Sequence, residues 1–218
     1  MTNPLAAVPV FAAALAIVAA APLPPPLATA LAQTERDWAK ANYATPDPAR
    51  QRAALDALIG RTAALVARYP DRAEPMVWLG VVRTTKAGVV GGMAGFGLVK
   101  DARRILEAAE RIDPAAADGL GLSQLGVLYY QVPGFPIAFG DRGKASRYLA
   151  RALAVDPDSL AANLAYGDYL LGGGNAAKAE TVLRHALAAS LRDGQVVADD
   201  GRRAEVKALL AKIAASRK

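Results

Sequence analysis

The chain has 218 residues, of which 53% are hydrophobic, and a formal net charge of +6 at pH 7. This length suits one domain with appendages, and the few β-branched runs favour helices over strands. The absence of cysteine excludes disulfides, thiolate metal sites and lipid attachment through cysteine, and the single histidine, His185, excludes a histidine metal cluster.

Residues 1–32 have the features of a secretory signal. An apolar run from Leu5 to Ala21 is followed by a proline-rich stretch and by Ala-Leu-Ala at residues 30–32, a small-x-small cleavage pattern. The run is shorter than the ~20 residues that a spanning helix needs. No Lys or Arg precedes it, so a retained membrane anchor is the alternative. We predict export to the periplasm with cleavage near Ala32, which argues against a nucleic-acid partner for this basic chain.

The predicted domain, residues 33–218, begins with a pair of helices over Glu35–Tyr43 and Pro48–Tyr69, which prolines bracket. Three segments with a common pattern follow. An Ala-x3-Leu-x2-Ala motif begins at Ala102, Ala145 and Ala179, and the first two copies end at Asp-Pro, a helix stop. Small residues at fixed places let two antiparallel helices approach each other. The predicted repeats span residues 73–114, 119–157 and 160–190.

The pattern resembles the tetratricopeptide repeat, whose period is about 34 residues. Ala145 and Ala179 are 34 residues apart, whereas Ala102 and Ala145 are 43 apart. The resemblance implies an all-α fold, a tetratricopeptide-like solenoid of helical hairpins. The excess length lies in the hairpin turns of the first two repeats, within residues 87–100 and 129–141. Insertions at equivalent turns of a solenoid emerge side by side, so we expect these two to be neighbours.

Both insertions are more apolar than hairpin turns usually are. Two interpretations stay open: they cover the solenoid's own core, with Gly140-Asp141 opening the next helix as an N-cap, or they line a pocket or a partner surface. The candidate ligand- or partner-binding residues are Trp78, Met93, Phe96, Tyr129, Tyr130, Val132, Pro133, Phe135, Phe139 and Tyr166.

A last predicted helix, Arg202–Ala215, would cap the far end of the solenoid with a partly polar face. Asp199 and Asp200 precede it and are expected to be N-cap residues and not metal ligands.

The sequence contains no pattern typical of catalysis. The glycines of Gly88–Gly97 lack the spacing of a phosphate loop, and His185 has no base or nucleophile pattern around it. Paired carboxylates, a Ser-His-Asp arrangement and a zinc signature are also missing. We therefore predict that the protein is not an enzyme and uses no cofactor, metal or catalytic residue.

Within residues 70–189, the segments GLVKDARRILEAAERIDP, LGVLYYQVPGFPIAFGD and KASRYLARALAVDPD together resemble the T components associated with TRAP transporters, which are periplasmic helical-repeat proteins. Members of that group are often lipoproteins, whereas this chain has no cysteine to lipidate. The resemblance implies a hydrophobic cavity, with a periplasmic substrate-binding protein or a transporter component as partner.

Two functional hypotheses follow. The first is binding of a hydrophobic small molecule, of such a partner, or of both, in periplasmic transport. The alternative is a protein-interaction scaffold that holds a peptide or helix on its concave face, at positions such as Asn163 and Tyr166.

Overall fold

The structure is a computed structural model that describes residues 22–217. Over this range the chain forms nine α-helices and no β-strand, which confirms the predicted all-α fold. The helices are α1 (Pro25–Tyr43), α2 (Pro48–Arg68), α3 (Ala73–Val90), α4 (Gly92–Ile112), α5 (Leu120–Gln131), α6 (Arg142–Val155), α7 (Leu160–Gly172), α8 (Ala176–Ala188) and α9 (Val196–Ala215).

The predicted repeats correspond to the antiparallel hairpins α3–α4, α5–α6 and α7–α8. In each hairpin a glycine of the first helix faces a fully buried leucine of the second. A Cβ atom added at the glycine would lie only 2.5–2.6 Å from that leucine side chain. This close approach explains why the sequence repeats glycine and leucine at fixed places. The three pairs are Gly80–Leu106, Gly126–Leu149 and Gly167–Leu183.

Short polar side chains cap the N-termini of several helices. The side chains of Asp141, Ser159 and Asn175 accept hydrogen bonds from backbone N–H groups in the first turns of α6, α7 and α8. The predicted N-cap at Asp141 is thus confirmed. The prediction for Asp199 and Asp200 is wrong, because α9 begins at Val196, before both residues and before the predicted start at Arg202.

The first helices of the four hairpins form a closed ring together with α9. In this ring α1 packs against α3, α3 against α5, α5 against α7, α7 against α9, and α9 against α1. We call these five the inner helices; α2, α4, α6 and α8 pack outside them. The inner helices run in one direction. They begin at the edge with the connections before each inner helix, the loop edge (residues 69–72, 113–119, 156–159 and 189–195), and end at the edge with the turns inside hairpins, the insertion edge (residues 44–47, 91, 132–141 and 173–175).

The first insertion differs from the expected loop. It lengthens both helices of its hairpin, and only Gly91, whose φ of +65° suits glycine, separates α3 from α4. The second insertion is a true loop, residues 132–141, with a cis peptide bond before Pro136. The insertions are neighbours, as expected: Val99 of the first and Phe139 of the second pack on the same buried cluster.

The N-terminal helix also begins earlier than predicted, at Pro25 instead of Glu35. Proline is well tolerated in the first turn of a helix, so the proline-rich stretch starts α1 and does not break it. Residues 30–32, the predicted cleavage pattern, lie inside α1, and both Leu27 and Leu31 are part of the core. The greater part of the predicted signal, residues 1–21, lies outside the described residues. Across residues 22–217, no helix combines the length and apolarity needed to cross a membrane.

Candidate functional site

The ring of inner helices encloses a lumen with an opening at each edge. At the loop edge is a cleft of about 820 Å³, and nearer the insertion edge is a cleft of about 440 Å³. We call these the large cleft and the small cleft. Leu120 of α5, Ala161 of α7 and Arg202 of α9 line both, so they mark the level at which the two clefts meet.

An ion network, largely buried except at Arg192, lines the large cleft. The Arg192 guanidinium lies 2.7 Å from the Asp199 carboxylate and 2.8 Å from the Glu35 carboxylate. Arg202 lies 3.5 Å from Asp199 and 3.6 Å from Glu35. Asp199 and Arg202 are only 1% and 6% exposed. Since Glu35 belongs to α1 and the other residues to α9 and the loop before it, this network joins the two ends of the described chain.

The pKa of Asp199 reflects the network. Burial alone would raise it, but the hydrogen bonds and charge of Arg192, with the charge of Arg202, outweigh burial and lower it. The Arg202 guanidinium also lies 5.1 Å from the centre of the Trp38 ring, a cation–π contact. Asp199 is thus ionised at neutral pH, within a closely packed network.

The mouth of the large cleft is acidic. Asp118, Asp156 and Asp158 line it, and within the described range none of these three carboxylates pairs with Lys or Arg; Asp158 lies 2.9 Å from the His185 imidazole. Five helix N-termini and four helix C-termini meet at this edge, and their dipoles, about half a charge each, nearly cancel. Among the charged side chains that line the large cleft, acidic residues outnumber the arginines by six to two, so the mouth carries negative charge.

The small cleft has apolar walls and a polar end. Its apolar side chains include Val81, Val127, Leu164 and Leu209. At the polar end the Tyr130 hydroxyl donates a hydrogen bond to Asp168. Burial, followed by the Asp168 hydrogen bond, raises the pKa of Tyr130.

A second tyrosine–carboxylate pair, Tyr43 and Glu205, lines the same cleft. Burial raises the pKa of Glu205, against the lowering effects of Tyr43 and Arg202. The small cleft thus offers an apolar surface beside groups that can exchange hydrogen bonds with a ligand.

The sequence-predicted site residues do not gather around one cavity. Trp78 lines the large cleft and Tyr130 the small one. The other eight line neither cleft: Met93, Phe96, Tyr129, Val132, Pro133, Phe135, Phe139 and Tyr166.

Several of these eight side chains pack on the protein itself. Tyr129 is buried, contacts Phe139 edge to face, and donates a hydrogen bond to Glu107 over 2.8 Å. Tyr166 stacks on Tyr169, and Phe96 lies beneath the Lys100 ammonium. Val132 is half-buried, while Pro133 is exposed. By contrast, Met93 and Phe135 project into solvent.

Asn163, which the scaffold hypothesis placed on the concave face, is buried. Its amide donates hydrogen bonds to the carbonyl oxygens of Pro157 and Ser159. A substitution there would disturb the connection before α7, so Asn163 is not a suitable probe of partner binding.

Sequence reasoning missed Arg202, Asp199, Leu120 and Ala161. Asp199 and Arg202 are three residues apart, a spacing that places both on one face of a helix. That spacing could have indicated a charged pair on α9, but nothing local indicated that α9 closes a ring. Among the described residues no group of three or more His, Asp or Glu side chains is placed to hold a metal ion.

Comparisons with known proteins agree with this architecture. Residues 137–198 match the family model described as tetratricopeptide repeat. No curated protein shows significant similarity to the chain. A crystal structure of a thermophilic TPR protein from Thermus thermophilus matches with a TM-score of 0.56 and 23% sequence identity, over 76% of this chain and 82% of that chain. The chain therefore has a tetratricopeptide-like fold of helical hairpins.

Proposed function

We propose that the protein is an interaction module that binds a segment of a partner protein at the large cleft. Helical-repeat proteins bind partners on the face formed by the first helices of their repeats. Here that face is the lumen, and α1, α3, α5, α7 and α9 all contribute side chains to its large cleft. This convergence of five helices on one open mouth is the observation that carries the proposal.

The charge at the mouth indicates the chemistry of the partner. The acidic side chains at the mouth favour a basic segment; they are Asp118, Asp156 and Asp158. The same cleft also has apolar lining residues, which include Leu31, Trp78 and Leu160. Because the large cleft ends at Leu120, Ala161 and Arg202, where the small cleft begins, a chain terminus or a protruding loop fits better than a helix that passes through. A protruding basic segment is therefore the proposed ligand.

Site-specific photo-crosslinking in the full chain tests this proposal. A photoreactive residue replaces Ala188, which lines the large cleft, or Ala150, an exposed alanine of α6 that lines neither cleft. We expect a protein adduct from position 188 and none from position 150. With the purified partner, Ala188→Trp should abolish binding, whereas Ala150→Trp should leave it unchanged.

The role of charge is tested by Asp158→Lys. We expect slower association and a weaker dependence on salt, because a charge at the rim of a binding site acts mainly on the encounter of the two molecules. Equal adducts from both alanine positions, or an association rate that Asp158→Lys does not change, would count against the large cleft.

The small cleft supports a second candidate function, the binding of a small amphipathic molecule. Its volume of about 440 Å³ lies within the usual range of ligand pockets, about 300–1,000 Å³. Native mass spectrometry of the gently purified full chain should detect a bound molecule that is released on unfolding. The variant Val127→Trp, which fills the cleft, should lose that molecule. An unliganded mass for the wild-type chain would contradict this candidate.

Export to the periplasm and a role beside a TRAP-type transporter also stay proposals, as does the prediction that the chain is not an enzyme. Leu27 and Leu31 support α1 from inside the core, so cleavage near Ala32 would remove two buried leucines. Export and the cleavage site are tested together by isolating the protein from the periplasm of its native cells and measuring its mass. Absence from that fraction would exclude export, and a mature chain that retains Leu27 would move the cleavage site upstream of α1.

A further inference from the structure

The insertion edge carries the most exposed large apolar side chains of the described chain. Phe135 is 93% exposed, Met93 is 85% exposed and Ile137 is 78% exposed, whereas the other exposed large apolar residues do not exceed 52%. Met93 lies in the first turn of α4, and Phe135 and Ile137 lie at the tip of the 132–141 loop. Three apolar side chains therefore project from the same edge of the ring.

The tip of the 132–141 loop is held away from the body by its own hydrogen bonds. The Gly140 N–H donates to the Pro133 carbonyl over 2.8 Å, and the Asp141 N–H donates to the Tyr129 carbonyl over 2.8 Å. Phe139 anchors the base of the loop, between the Tyr129 ring and the Arg103 guanidinium, which lies 4.3 Å from the Phe139 ring centre. Phe135 and Ile137 are thus presented outward by a fixed base.

Positive charge is concentrated around these side chains. Four basic side chains next to these turns are exposed and have no salt-bridge partner among the described residues: Lys100, Arg142, Lys144 and Arg147. Three further basic residues there are paired, Lys86 with Asp56, Arg103 with Glu107 and Arg104 with Asp101. The connections at the opposite edge, residues 69–72, 113–119, 156–159 and 189–195, contain six aspartates and two arginines. The ring therefore has a basic, apolar insertion edge and an acidic loop edge.

We propose that the insertion edge docks on the surface of an anionic lipid bilayer. Phe135, Ile137 and Met93 enter the boundary between headgroups and acyl chains, while the surrounding Lys and Arg side chains contact lipid phosphates. Lysines are depleted at protein–protein interfaces, yet Lys100 and Lys144 are exposed at this edge. A lipid surface is therefore the occupant that the charge favours.

Tryptophan reporters in the full chain test the orientation. Phe135→Trp places an indole at the insertion edge, and Leu191→Trp places one at the loop edge, where Leu191 is 52% exposed. The native Trp38 and Trp78 are buried and contribute a constant background. With vesicles of phosphatidylglycerol and brominated phosphatidylcholine, Phe135→Trp should show blue-shifted and quenched emission, and Leu191→Trp should not. Phe135→Trp that stays unquenched on vesicle-bound protein would overturn the proposal.

Affinity measurements test the contribution of the apolar tip. The double variant Phe135→Ser/Ile137→Ser should bind these vesicles about tenfold more weakly or worse, as expected for the loss of two buried apolar side chains. Leu191→Ser should bind as wild type does, and the melting temperatures should agree because all these side chains are exposed.

Two other outcomes would overturn the proposal. Equal quenching of Phe135→Trp by purely phosphatidylcholine vesicles would remove the role of charge. Photo-crosslinking from position 135 to a protein, without vesicle binding, would identify the edge as a protein-docking surface instead.

Discussion

Replacing Leu149 by alanine should lower the free energy of unfolding by about 2–5 kcal/mol. Leu149 is fully buried in the middle hairpin, and its side chain fills the space that Gly126 leaves open on α5. Alanine would remove three buried carbon atoms and leave a cavity, because neighbouring hairpins on both sides prevent α5 and α6 from closing the gap. Urea unfolding followed by circular dichroism measures the change.

Two controls make the Leu149 result specific. Leu191→Ala, at an exposed leucine, should change stability by no more than about 0.5 kcal/mol. Gly126→Ala should destabilise the wild type, since the new Cβ would lie 2.6 Å from Leu149 Cγ. In the Leu149→Ala background the same methyl group should restore part of the lost stability. Additive effects of the two substitutions would show that they do not share one packing contact.

The second large effect is expected from Asp199→Asn, which should lower the free energy of unfolding by about 3–5 kcal/mol. Asp199 is buried and pairs with both Arg192 and Arg202, and its removal leaves the buried Arg202 charge with Glu35 alone at 3.6 Å. The exposed neighbour Asp200 provides the matched control, because Asp200→Asn removes a carboxylate that has no such environment. A loss equal to that of Asp200→Asn would show that the network does not stabilise α9.

The effect of Asp199→Asn should depend on pH. The pKa of Asp199 is lowered from its ordinary value of 3.8, so its contribution is complete above that value and is lost as the pH falls through the lowered pKa. The stability difference between wild type and Asp199→Asn should therefore be largest near neutral pH and narrow in acid. Urea midpoints measured from pH 7 down to pH 3 test the sign; a difference that widens in acid would contradict it.

The sequence allowed the three hairpins to be predicted because their signals are local and periodic. Gly126 and Leu149, like their counterparts in the other repeats, recur at spacings set by helix contacts. The first insertion was misread since its glycines suggest a loop. Gly95 is instead required within α4, where a Cβ would lie 2.7 Å from the Ala87 carbonyl oxygen. Tertiary packing here overrides the low helix propensity of glycine.

The candidate site was less predictable than the fold. Trp78 and Tyr130 line the clefts, but the clefts exist only because α9 closes the ring. That closure rests on contacts such as the one from Arg192 to Glu35, which are distant in sequence and have no periodic signal. The aromatic content of the second insertion was a sound indication of an unusual surface. It could not distinguish Phe139, which packs inward, from Phe135, which points outward.

The pairing of α1 with α9 has a consequence for how the molecule unfolds. In an open array each end unit has a single neighbour, so melting starts there and proceeds unit by unit. Here the first and last inner helices are neighbours of each other, and every inner helix has one on either side. With no free end from which to fray, the described chain should lose its structure in a single cooperative step, and amide hydrogens in α1 and α9 should exchange at rates close to those of α5.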